Sequence, residues 1–582
     1  MSAALRLVVL LCVLALASAC SALAQHPENE TADAPHEAAE AEAASAEPSS
    51  EALPPQELTE DVLYELLLAE IALQRGNTAL SAQTYAELAE ETRDPRVARR
   101  AVEVAGTART PQYALRAAKV WYAAAPQSVQ ALQTLTLLLV RAGKVDEAEP
   151  YLATLLARDG AAAPGGFLQL GRLMAASPDK LANLRVVRSL AARYPKMPEA
   201  TLAVAQAALA AGNEAAALDE THRAAQMRPG WETAAIFEAQ ILQRNSPAAA
   251  ADSLEAFLKA HPKAREARLA RARLLVGARR YAEARAEFET LLKIYPDNTD
   301  VLYAVGLLAM QLKDYPTAES SLRRLLELGY RNPDSLRFTL GQAAEEQKKW
   351  SEAIGWYERV EGGEQALAAR LRVAQVMAKQ GKITEARDYL RALEVSGADR
   401  AQVYIAEAQL LRDANRYDEA FALLGKALEA QPDQPELLYD RAITAEKLER
   451  YDVLEANLRT LIKVKPDYAH AYNALGYSYA DRNMRLPEAR KLIERALELS
   501  PDDAYIIDSM GWVLYRMGDL QGAADQLRRA YDDRPDAEIG AHLGEVLWSM
   551  GDRAGAERIW QEALKSHPDN EVLQKTVKRL RR

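Results

Sequence analysis

Prolines recur along this chain at a nearly fixed interval. They stand at Pro195, Pro229, Pro262 and Pro296, and again at Pro432, Pro466, Pro501, Pro535 and Pro568, with every step between 33 and 35 residues. Proline cannot continue a helix, so it punctuates one. A step of this length holds two helices of about 12 residues each plus their turns. Small residues keep the same beat. Gly511, Ala523 and Ala530 lie 24, 12 and 5 residues before Pro535, and Gly544, Ala556 and Ala563 hold those places before Pro568. Before Pro296 the places are Ala272, Ala284 and Leu291, with Phe288 between. Gly or Ala facing Ala lets two helix axes approach closely, and a large apolar residue fills the space behind. The 582 residues, with only 6% aromatics, therefore predict an all-α array of stacked helix pairs rather than one globule.

A period near 34 with this small-residue pattern resembles the tetratricopeptide repeat, and implies its superhelical solenoid of antiparallel helix pairs. The turns agree. Gly143-Lys144-Val145-Asp146-Glu147-Ala148, Lys349-Trp350-Ser351-Glu352-Ala353 and Arg416-Tyr417-Asp418-Glu419-Ala420 each place an acid at the start of a second helix, where it complements the helix dipole. Pro-Asp at 296–297, 432–433, 466–467 and 501–502 marks repeat boundaries. Extended both ways, the frame assigns residues 58–568 to about fifteen repeats. Residues 569–582, ending Lys578-Arg579-Leu580-Arg581-Arg582, are expected to form a polar capping helix. Residues 161–194, with Pro164-Gly165-Gly166, Ser177-Pro178 and Asn183 in an Ala position, depart from the frame. So does Glu361-Gly362-Gly363, and both places are expected to be bends rather than linkers.

Charge separates the N-terminus from this body. Of the net −11, residues 25–57 supply nine acids and no Lys or Arg, which leaves a nearly neutral array. Residues 1–24 read as a signal peptide: Arg6, an apolar run from Leu7 to Ala17 that includes Cys12, then small residues. That run is shorter than the ~20 residues a membrane span needs. Two cleavage sites stay open. Ala17-Ser18-Ala19-Cys20 resembles a lipoprotein box, with lipidation of Cys20, although Ala17 stands where Leu is preferred. Ala22-Leu23-Ala24 suits ordinary signal peptidase. Ser21 resembles the residue that follows the cysteine in outer-membrane lipoproteins. Residues 21–57 hold almost no large apolar side chains and are expected to be a disordered acidic tether. The expected location is the bacterial periplasm, anchored to the outer membrane by a lipid or, with the second site, soluble.

The sequence offers no catalytic constellation. It has no Gly-rich phosphate loop, metalloprotease helix or nucleophile elbow, and its acidic balance argues against nucleic acid. Two cysteines cannot build a disulfide framework or a four-cysteine zinc site. His26 and His36 fall in the tail, His261 and His567 precede boundary prolines, and His222, His470 and His542 are isolated on repeat helices. Each histidine reads as structural, so no cofactor, metal or enzyme activity is expected.

Protein binding is the default for such an array. Counting from Gly476, Gly511 and Gly544, the groove-facing places hold Asn473, Tyr477 and Asp481, then Asp508, Trp512, Tyr515 and Arg516, then Glu545, Trp548 and Ser549. Trp, Tyr and Arg are the usual anchors of interfaces. Trp512 and Trp548 are alternatively packing residues between neighbouring repeats.

The C-terminal third carries three specific stretches. They are Tyr472-Asn473-Ala474-Leu475-Gly476-Tyr477-Ser478-Tyr479-Ala480-Asp481-Arg482, Ile507-Asp508-Ser509-Met510-Gly511-Trp512-Val513-Leu514-Tyr515-Arg516 and Ala541-His542-Leu543-Gly544-Glu545-Val546-Leu547-Trp548. With the export signal and the repeats, they resemble the proteobacterial outer-membrane tetratricopeptide lipoproteins of the LbcA type. Members of that family bind a periplasmic carboxyl-terminal processing protease and promote degradation of cell-wall cross-link hydrolases. The resemblance implies a non-catalytic adaptor whose partners are that protease and those hydrolases. A scaffold for envelope assembly or polysaccharide export is the alternative.

Overall fold

The structure is a computed structural model that describes residues 58–159 and 163–581. The expected signal peptide, Cys20 and the acidic tether lie outside the described residues. Among those described there are 31 helices and no strand. The helices follow one another as fifteen pairs, from Glu60–Gln74 with Thr78–Thr92 to Ala537–Ser549 with Arg553–Ser566, and end with a single helix, Glu571–Leu580. They fall into two compact units, one ending at Leu328 and the other beginning at Gly329.

The turn inside each pair shows why the sequence folds this way. In thirteen of the fifteen pairs the first helix stops at a residue in the left-handed region, as at Gly143, Lys313, Glu449, Asn483, Gly518 and Gly551. At Gly518 (φ 91°) the chain reverses through two bonds, Gly518 N–H to Tyr515 C=O at 3.0 Å and Asp519 N–H to Leu514 C=O at 3.0 Å. These bonds satisfy carbonyls that the helix end would otherwise leave unpaired. Asp519 then caps the second helix, its carboxylate accepting from Gly522 N–H at 2.9 Å. Asp552 does the same for Gly555 N–H at 2.8 Å in the following pair.

Within a pair the small residues do what their spacing predicts. Ala523, Ala530 and Ala556 are fully buried, as are Ala272 and Ala284 in the first unit. A side chain on Gly511 would meet Leu527 Cγ at 2.5 Å, and one on Gly476 would meet Ile493 Cγ1 at 2.7 Å and Ala489 O at 2.9 Å. Close approach therefore excludes a Cβ at these places. The large residues behind are Trp560, Tyr357, Tyr479 and Leu527, all buried.

The two irregular stretches are held by polar side chains. Helices Ala163–Ala175 and Lys180–Ala191 pair across Asn183, whose buried amide donates to Met174 C=O at 2.9 Å. After helix Trp350–Glu358, Asp334 accepts from Gly362 N–H at 3.0 Å, and this anchor stands where other repeats have a boundary proline. The last helix buries Leu573 and Val577 against the preceding pair and leaves Lys575 and Lys578 exposed.

Candidate functional site

The ten groove positions read from the sequence sit on three successive first helices, Ala469–Asp481, Ala504–Arg516 and Ala537–Ser549. Asp503 caps the second of these through Tyr505 N–H at 2.9 Å, and Asp536 caps the third through Glu538 N–H at 2.8 Å. These caps fix the register that brings Asp508 opposite His542, one repeat later.

His542 is the centre of the cluster. Its Nδ1 lies 3.0 Å from Asp508 Oδ1 and 3.1 Å from Oδ2. Its ring stacks on Trp512, with centroids 4.2 Å apart and planes at 23°. On the far side Nε2 lies 3.5 Å from the Tyr477 hydroxyl. One imidazole thus joins three repeats. Asp508 is 6% exposed, His542 7% and Trp512 5%, so the dyad is sealed from solvent-borne groups.

Burial alone would push the His542 imidazole down. The Asp508 carboxylate, through its charge and its hydrogen bond, together with Glu538 and Glu545, outweighs burial and holds it above its ordinary value. Tyr477 is pushed well above the usual phenol range, first by burial and then by Asp481, Asp508, Glu538 and Glu446. Glu446 is itself raised, chiefly by burial. Four carboxylates from four helices therefore act on one phenol, and Glu446, Asp481 and Glu538 have no ion-pair partner among the described residues.

The remaining groove positions form a rim around this sealed centre. The Tyr515 hydroxyl lies 3.0 Å from Ser549 Oγ and 3.4 Å from Glu545 Oε1. Glu545 is buried and pairs with Arg579 of the last helix. Arg516 Nη2 donates to the Asp481 carbonyl at 3.1 Å, while the Asp481 and Ser549 side chains are exposed. Trp548 is half-buried, 5.5 Å from Trp560 and with the Arg553 guanidinium 4.9 Å from its ring. Asn473 is half-buried, and its Oδ1 has no hydrogen-bond partner, nor does Trp512 Nε1. Trp512 is thus a packing residue, whereas Tyr515, Arg516 and Trp548 are half-buried and Asp481 and Ser549 are exposed.

His542 itself escaped the sequence reading, in which it stood as an isolated histidine. The signal was its place 34 residues after Asp508, one full period. Glu446, Glu538 and Arg579 were missed for the same reason, since each contributes from a neighbouring repeat. Among the described residues no group of three or more His, Cys, Asp or Glu side chains could hold a metal ion. No described helix is long and apolar enough to cross a membrane.

Known proteins place this geometry in context. The sequence pattern of the Tetratricopeptide repeat family matches residues 242–299, 303–366, 405–453, 439–504 and 509–571. A TPR repeat-containing protein of Pseudomonas aeruginosa is 34% identical over 526 residues, covering 90% of this chain and 88% of the relative. A thermophilic TPR protein of Thermus thermophilus, known as a crystal structure, is 26% identical with a TM-score of 0.29, over 31% of this chain and 97% of that one. The crystal structure of yeast Tom70 is 15% identical with a TM-score of 0.35, over 71% of this chain and 95% of that one.

Proposed function

Because the chain belongs to the tetratricopeptide-repeat family, whose repeats build protein-binding scaffolds, we propose that it is a non-catalytic adaptor of the bacterial periplasm. In this reading it recruits a carboxyl-terminal processing protease and the cell-wall hydrolases that protease degrades. A lipid on Cys20 holds the assembly at the outer membrane. The observation that carries the reading is the face at 469–549, a rim of Tyr515, Arg516, Trp548 and exposed acids set on a centre already locked by His542. Rigid aromatic and Arg groups at the edge of a preformed surface lose little freedom on binding, which favours protein recognition. The unpaired carboxylates of Glu446, Asp481 and Glu538 favour partner segments that carry Lys or Arg. Holding protease and substrate on one chain raises their effective concentration toward the millimolar range (~mM for short tethers), which speeds cleavage without any chemistry by the scaffold.

Affinity capture of the tagged protein from its native envelope, read by mass spectrometry, tests the assignment. The proposal expects a processing protease and a cell-wall hydrolase among the captured proteins. Capture of polysaccharide synthase or export-pore components without a protease would instead favour the assembly-scaffold alternative. Membrane attachment is tested separately: Cys20→Ser should move the protein from the membrane fraction to the soluble one.

A further inference from the structure

The first described helix, Glu60–Gln74, has a second apolar face that is exposed. Leu66, Ala69, Ala72 and Leu73 pack inward on the first core. On the opposite side Tyr64 is 67% exposed, Leu67 52% and Ile71 46%, with Leu63 beside them and Leu80 of the next helix also exposed. The spacing of Tyr64, Leu67 and Ile71 is three and four residues, the step of a single helical stripe. Repeat arrays ordinarily end in a polar face, as the Glu571–Leu580 helix does, where Val572 is the one large apolar residue exposed. An apolar stripe at the other end marks an interaction surface.

Charge selects what can cover it. The helix carries Glu60, Asp61, Glu65 and Glu70 and no base. Only Glu70 is compensated, by Arg100 at 3.2 Å and by the Tyr85 hydroxyl. Glu65 Oε2 is buried without a hydrogen-bond partner. The same carboxyl is raised by burial and by the neighbouring Glu91, Glu87 and Asp61, so it belongs to the packed side, whereas Glu60 and Asp61 are exposed and have no ion-pair partner among the described residues.

Three occupants fit poorly. The chain's own residues 25–57 carry nine acids and no Lys or Arg. A second copy pairing through the same face would bring only acids, Glu60 and Asp61, and no base from this helix. The basic last helix of a second copy brings charge but almost no apolar surface. We infer that this face docks an amphipathic helix of a different protein, with an apolar stripe for Tyr64, Leu67 and Ile71 and Lys or Arg for the exposed Glu60 and Asp61.

The test uses the purified chain and a fluorescent 18-residue helix of leucine and lysine, with a leucine–glutamate helix of the same pattern as control. Anisotropy should show saturable binding of the lysine peptide and none of the glutamate peptide. Leu67→Glu with Ile71→Glu should weaken binding at least tenfold, as should Glu60→Gln with Asp61→Asn, while circular dichroism stays unchanged. All four positions, Glu60, Asp61, Leu67 and Ile71, are exposed, so the fold tolerates the changes. Binding that is equal in both double variants overturns the proposal. It is also overturned if the peptide binds only after residues 1–57 are deleted, which makes the chain's own segment the occupant. Self-association that the same variants abolish, seen by light scattering, would make the occupant a second copy.

Discussion

His542 Nδ1 and Asp508 Oδ1 lie 3.0 Å apart on helices one repeat apart, both side chains buried. A buried pair of this kind is a fastener. Removing one partner strands the other in a low-dielectric site, so Asp508→Ala should cost about 3–5 kcal/mol. The loss should be local, seen as faster amide exchange across helices Ala504–Arg516 and Ala537–Ser549.

The same pair makes the C-terminal repeats pH-sensitive. His542 is held above its ordinary value of ~6.5. The stability it adds is therefore complete below that pH and fades as pH rises through the higher folded-state value. Amide protection of helix Ala537–Ser549 should fall as pH rises from about 6 in the wild type. In His542→Gln that dependence should vanish, and an unchanged slope would show that the imidazole does not couple the repeats.

Two glycines in helices should respond oppositely to alanine. A methyl group on Gly106 would meet nothing within 4 Å, so Gly106→Ala should stabilise the first unit by up to ~1 kcal/mol, the propensity difference alone. Gly544 abuts the Trp560 indole, and Gly544→Ala should destabilise the second unit by about 1–3 kcal/mol. Chemical denaturation reads both, and Trp560→Leu should restore part of the Gly544→Ala loss.

Glu449 ends its helix with φ 56°, a conformation that costs a non-glycine residue ~1–2 kcal/mol. Glu449→Gly should raise the stability of the second unit by about 0.5–1 kcal/mol, less than the full strain because glycine also loosens the unfolded chain. A drop in denaturation midpoint would contradict the turn geometry.

How much of this was legible beforehand follows from the range of each interaction. The proline and small-residue period lies within single repeats, so Gly511, Ala523 and Ala530 announced helix pairing directly. The face at 469–549 was legible as a set of positions, because first helices repeat their orientation. What each position does was not, since it depends on the next repeat. Trp512 read equally as an anchor or a packing residue; its ring is buried and stacks on His542, while Tyr515 and Arg516 remain at the rim. The apolar face of Glu60–Gln74 was hidden for a related reason. A stretch such as Leu66-Leu67-Leu68-Ala69-Glu70-Ile71 reads as core in any repeat, and only the packed structure shows that Leu67 and Ile71 on one side are exposed.

The central claim is that this chain accelerates another protein's chemistry by binding. Its most direct test is a reconstituted cleavage assay with the purified chain, a carboxyl-terminal processing protease and a cell-wall hydrolase from the same envelope. The account predicts no cleavage by the chain alone, faster hydrolase degradation when it joins the protease, and loss of that acceleration in Tyr515→Ala with Arg516→Glu. Equal degradation rates with and without the chain would contradict it.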